Sequence, residues 1–165
     1  MTTDRQLVVF EGVWTSTWSG LRERGQSERE TACVWLGKRE GSIERAHVAV
    51  FLDDLPGTVG RRLQHRTSRT AVDMLLMRSR ELGMVIVADI HTHPADWVDL
   101  SDIDRLHPIE YRIGLLALIL PDFAASRPNL QRVGVHEYIG DGDWKTFRAQ
   151  DAARRVRIVS AEEAA

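Results

Sequence analysis

The chain has 165 residues, 43% of them hydrophobic and 28% charged, the mixture of a folded globular domain rather than of a disordered segment. Twenty-two basic against twenty-four acidic side chains leave a formal net charge of -2, which disfavours a basic protein that coats nucleic acid. The single cysteine, Cys33, excludes an intrachain disulfide and the four-Cys or Cys₂His₂ structural zinc site, and it fits a reducing compartment. No signal-peptide pattern opens the chain, and the longest apolar run, residues 115–120, is far short of the roughly 20 residues that span a bilayer. The expectation is a cytoplasmic protein with no membrane partner.

In chain order, residues 7–10 form an apolar run that predicts a first strand. Trp14, Trp18 and Leu21 follow at helical spacing and predict an amphipathic helix whose tryptophans anchor the core. Residues 31–36 read as a strand ending in the turn Gly37-Lys38-Arg39-Glu40-Gly41-Ser42. Residues 43–51 read as the next, with Ala46, Val48 and Val50 on one face and His47, Ala49 and Phe51 on the other. The run with Arg61, Arg62, His65 and Arg66 reads as solvated surface or as a surface that receives an acidic partner. Ser68 predicts the cap of a helix to about Leu82, stopped by Gly83, with Val72, Leu75, Leu76 and Leu82 on its apolar side.

Residues 84–90 are then an almost continuous apolar strand that ends in His91-Thr92-His93-Pro94. The carboxyl end of a buried central strand is where a site is expected. Ser101 begins a short helix over about 102–106, and residues 115–120 are a second central strand. Residues 132–139 read as a strand, 140–143 as a tight turn and 144–147 as its returning partner. The tail from Asp151 is open between a helix and a strand at 156–159. One mixed α/β domain accounts for residues 1–165, with its core at about 7–150.

The chemistry concentrates between His91 and Asp104. Strand period places His91 and His93 on one face, where both imidazoles reach one ion, and Pro94 favours the extended conformation at His93. Asp99, Asp102 and Asp104 follow on a returning loop. Ser101 and Asp104 have the S-x-x-D spacing of a helix start, which holds Asp104 in the first turn. Two His and one Asp leave a fourth tetrahedral position open, the pattern of a catalytic rather than a structural zinc site.

H-x-H, seven residues, then S-x-x-D resembles the signature of the JAMM (MPN-plus, JAB domain) metalloprotease family, and His91, His93, Ser101 and Asp104 fill its named positions. The family also carries a glutamate at the start of an upstream strand. Glu30, with Gly37 seven residues on, is the matched candidate, and Glu28, Glu40 and Glu44 are the competitors. Leu100 stands where the family often has proline. The resemblance covers roughly residues 7–147 and implies an α/β fold of the JAB/MPN (cytidine-deaminase-like) type, a mixed central sheet flanked by helices.

It further implies one Zn²⁺ per chain on His91, His93 and Asp104, with Glu30 as general base and acid and Ser101 as donor to the oxyanion. The implied substrate is a ubiquitin-like protein or its conjugate, cut at an isopeptide or peptide bond at its carboxyl terminus. A bacterial stand-alone member would work beside E1-like and E2-like proteins of the same system, some of them antiviral. Residues 51–66 and 95–100, with Trp97, are the expected walls of the substrate groove. The alternatives are a peptidase that processes sulfur-carrier proteins and a non-catalytic MPN-type scaffold. A zinc nucleotide deaminase is disfavoured by the single cysteine. Cys33 reads as a core residue, and Asp89 as either a partner behind a ligand histidine or a solvent-facing strand end.

Overall fold

Long runs of Val, Ile and Leu bury both faces of a strand, and here they sit side by side at the centre of one sheet. The computed structural model describes residues 5–163. Its elements are β1 (Gln6–Phe10), α1 (Glu11–Arg24), β2 (Ala32–Glu40), β3 (Ile43–Phe51), β4 (Val59–Arg61), β5 (Gln64–Arg66), α2 (Arg69–Leu82), β6 (Val85–Thr92) and α3 (Asp102–Leu106). β7 (Leu116–Leu120), β8 (Gly134–Gly140), β9 (Asp143–Phe147), α4 (Ala149–Arg155) and β10 (Val156–Val159) complete it. Eight strands form a mixed sheet in the order β10-β1-β3-β2-β6-β7-β8-β9, and β4 and β5 pair as a separate hairpin. β1 runs parallel to both β10 and β3, and β6 parallel to β7; the other pairs are antiparallel. The protein is of the mixed α/β class.

Each face of the sheet is covered. Trp14, Trp18 and Leu21 of α1 pack against Cys33, Trp35, Ala88 and Ile90, and each fully buried large side chain contributes about 1.5–3 kcal/mol. The buried Trp35 Nε1 donates to Thr17 Oγ1 at 2.8 Å, so the indole keeps a partner in the core. On the opposite face Leu75 of α2 and Leu52 pack against Ala32, Val34, Leu36 and Ile86. Leu100, Ala117 and Ile119 form a smaller cluster with Val98 and Trp144 beside α3.

Several expectations are corrected. β2 does not turn at Gly37 but continues to Glu40, and the turn falls at Gly41-Ser42. Gly37 is a close-approach position inside the sheet: a Cβ there would lie 1.8 Å from the Arg45 carbonyl oxygen. The pairing register shifts between Leu36 and Gly37, so Ala46 joins the α1 face with Ala49 and Phe51, while Val48 and Val50 take the other. The tail contains both alternatives in succession, α4 then β10, and β10 pairs with β1, so the sheet extends past residue 150 to Val159. α2 and α3 match their sequence boundaries. Ser68 Oγ accepts from Ala71 N–H, and Gly83 ends α2 at φ +60; Leu76 on its predicted apolar side is exposed instead.

Candidate metal centre

The β6 strand carries His91 into the sheet on the α2 face, in a cross-strand row with Ala32 and Ile119. One row below, Asp89 stands between Val34 and Ala117. His93 lies just past the strand, yet its N–H donates to the Leu120 carbonyl at 2.9 Å and its carbonyl accepts from Phe123 N–H at 3.0 Å. The extended path therefore continues, and the two imidazoles meet on one face with ring centroids 4.9 Å apart. Thr92 points the other way. Its Oγ1 accepts from Thr31 N–H and its own N–H donates to the Thr31 carbonyl, both at 3.0 Å. The residue between the histidines thus fixes the chain next to Glu30.

Ser101 caps α3 in a reciprocal box. Its Oγ accepts from Asp104 N–H at 3.1 Å, and Asp104 Oδ2 accepts from Ser101 N–H at 2.8 Å. Asp104 Oδ2 then lies 3.4 Å from His91 Nε2 and 3.3 Å from His93 Nε2. These are charge contacts rather than hydrogen bonds: His91 Nε2 is buried without a hydrogen-bond partner. A tetrahedron with arms of about 2.0–2.1 Å, the length of zinc bonds to imidazole and carboxylate, has edges of about 3.3–3.4 Å. The ligand atoms of all three residues lie within 4.8 Å of one another, so His91, His93 and Asp104 could hold a metal ion.

The surroundings set the charges. Burial works against an ionised Asp104, but its close contacts with His91 and His93, with the Ser101 hydrogen bond added, hold its carboxyl well below the usual range. Burial lowers both histidines. At His91 the Asp104 carboxylate outweighs it and the net shift is upward, whereas at His93 burial prevails and the imidazole stays neutral more readily. A cation needs both imidazoles neutral, so at His91 it would take the place of the proton that Asp104 favours.

Glu30 is 3% exposed, and its Oε1 has no hydrogen-bond partner. Burial pushes its carboxyl up to about 8, His91 opposing and Asp104 adding to the rise. Its backbone is gripped by the β4–β5 hairpin: Glu30 N–H donates to the Arg61 carbonyl at 2.7 Å, and a Cβ on Gly60 would lie 2.1 Å from the Glu30 carbonyl oxygen. Of the competing glutamates, Glu44 is buried in an ion pair with Arg39, Glu28 pairs with Arg62 on the surface, and Glu40 pairs with Arg45. Ser101 departs from the expectation of a free donor, because its hydroxyl gives its proton to Asp104 Oδ2 at 2.7 Å.

A cleft of about 550 Å³ opens beside the triad, walled by Gln64, His65 and Arg66 on one side and by Ile103 and His107 on the other. Asp89 and Ala117 also line it. Asp89 makes no hydrogen bond to His91 among the described residues, so neither sequence reading holds: it faces the cleft. Trp97 does not line this cleft. Its indole stacks on the His93 ring at 4.3 Å and 16°, while 42% exposed.

The sequence reading expected residues 51–66 along the groove but missed that 59–66 fold as a hairpin, and it missed the anchor of that hairpin. His65 Nε2 meets Asp53 Oδ1 at 3.1 Å, and Asp53 Oδ2 accepts from Ala32 N–H at 2.9 Å. Two three-residue strands are too short to carry a periodic signal, and their arginines resemble ordinary surface. Cys33 is a fully buried core residue whose thiol burial pushes up, away from nucleophilic use.

The molecule is therefore a mixed α/β protein with a His-His-Asp group able to hold a metal. No family model matches the chain. Its fold is similar to the solution structure of protein DSY2949 from Desulfitobacterium hafniense, with a TM-score of 0.66 over 94% of each chain at 15% sequence identity. At that identity the likeness concerns the fold alone. No helix among the described residues is long and apolar enough to cross a membrane.

Proposed function

We propose that the chain is a JAMM-type zinc hydrolase that cuts an isopeptide or peptide bond at the carboxyl terminus of a ubiquitin-like protein. The observation that supports it best is the convergence of His91, His93 and Asp104 at tetrahedral edge distances beside a buried, unpartnered Glu30. Zinc at such a site supplies Lewis acidity and makes water acidic enough to ionise near neutrality.

The chain's own groups do the rest. Glu30, with its carboxyl pushed up to about 8, is matched to take a proton from water and return it to the leaving amine near neutral pH. Ser101 has two tasks. Its backbone N–H holds Asp104, and turning its hydroxyl away from Asp104 Oδ2 frees one donor for the oxygen that becomes negative. The hairpin β4–β5 walls the cleft and holds the Glu30 backbone, and burial keeps the carboxyl's affinity for protons high.

Metal analysis after purification without added zinc tests the reading. About one zinc per chain is expected, lost in Asp104→Ala and kept in Glu30→Gln. Ubiquitin-like fusion proteins should be cut by the native chain, and Glu30→Gln should lower the rate by about 10²–10⁴-fold. A metal-free native protein that stays so after zinc is offered overturns the proposal.

A further inference from the structure

Apart from Glu30 beside the His-His-Asp group, most of the half-buried and buried acids among the described residues are matched. Asp53 takes the Ala32 N–H and His65, Asp104 takes Ser101, Glu137 takes Arg155, and Glu44 takes Arg39 and Arg112. Asp89 is different. It sits at the middle of the central sheet, between Val34 and Ala117, and opens only partly into the cleft. No hydrogen bond or ion pair reaches its carboxylate among the described residues. It also lies outside the group of atoms that converge for a metal, so an ion there would leave Asp89 without a partner.

The walls say what would fit. Val72, Leu100, Ile103 and Pro108 are apolar, and the cleft's volume of about 550 Å³ is of the size that takes a small ligand or a short stretch of peptide. The basic groups nearby do not fill the need: His65 is paired with Asp53, and Arg66 stands exposed at the rim. A mixed cleft with one apolar flank and a carboxylate that no protein group pairs is complementary to a side chain with an aliphatic stem and a cationic end.

We propose that this cleft is a specificity subsite for a basic side chain of the substrate, arginine or lysine, whose charged end is received by Asp89. The inference rests on the functional reading above, because it takes the ligand to be part of a peptide chain presented to the His-His-Asp site.

The test needs no knowledge of the substrate. Two pairs of probes differ mainly in charge: Nα-acetyl-arginine methylamide against its citrulline counterpart, and the lysine compound against norleucine. Each is titrated into isotope-labelled full-length protein, with and without zinc, and binding is read from the amide signals of Ala117 and Leu100. One charged member should bind about tenfold more tightly than its neutral counterpart, as a charge-assisted hydrogen bond requires. Asp89→Asn should erase that preference while zinc content stays native, and Asp99→Asn, at an exposed acid, should leave it intact. Equal binding within both pairs, no binding at all, or a preference that survives Asp89→Asn overturns the proposal. Failure of the zinc reading shows separately in the metal analysis, and the comparison of charged with neutral probes in metal-free protein still stands.

Discussion

Thr92 and Glu30 illustrate how much depends on single side chains next to the His-His-Asp group. Thr92 turns its back on the two histidines and ties down Thr31, so Glu30, the residue before Thr31, is delivered to the site from the segment that leads into β2. Glu30 carries an energetic burden in return. Between its ordinary value of 4.5 and about 8, the folded chain holds a proton at Glu30 that the unfolded chain has released. Stability of the metal-free protein therefore falls as pH rises through that window. Glu30→Gln removes the burden, so its advantage in unfolding temperature should grow from pH about 5 to about 8 and then level off. A thermal melt series in chelator checks this, and a difference independent of pH would sink it.

At the scale of elements, the hairpin β4–β5 is the piece whose position matters most and whose existence was least legible. Gly60 lies against the Glu30 carbonyl, so Gly60→Ala must push the hairpin off the site. Zinc content should stay near native while turnover falls about tenfold or more, the cost of a misplaced group, and steady-state assays with metal analysis would separate the two. By contrast α2 and α3 were readable because capping is local chemistry: Ser68, Gly83 and Ser101 announce their helices within four residues. β6 and its H-x-H end were readable because an apolar run and a period of two need no long-range information. Gly37 was misread for the opposite reason. Nothing near it in sequence reveals that Arg45 of the next strand passes within a Cβ's reach. Asp89 was ambiguous for the same cause, since its environment is made by Val34 and Ala117 from other strands.

Across the whole molecule, the sheet is fastened from its first edge to its last strands. Arg155, on the helix that leads into the edge strand β10, is 3% exposed. It donates to Glu137 of β8 at 2.7 Å and to the Gly114 carbonyl at 3.0 Å. Arg5 reaches the Ile113 carbonyl, and Arg112 lies 3.2 Å from Glu44 of β3. The segment before β7 is thus held by β1's end, β3 and α4 together, which braces the strands beneath the His-His-Asp group. Arg155→Met should leave Glu137 as an unpaired buried charge and lower stability by about 3–5 kcal/mol. Denaturant unfolding checks it; a loss near zero would mean that water reaches Glu137.

The stacking of Trp97 on His93 gives the protein an optical gauge. Trp14, Trp18 and Trp35 are sealed in the core and emit from a fixed environment, whereas Trp97 is in contact with both solvent and the ring of a prospective ligand. A cation drawing electrons from that imidazole would change the indole's excited state directly, so the emission that Trp97→Phe removes, apart from that of the half-buried Trp144 in the cleft wall, should follow occupancy of the site without a label.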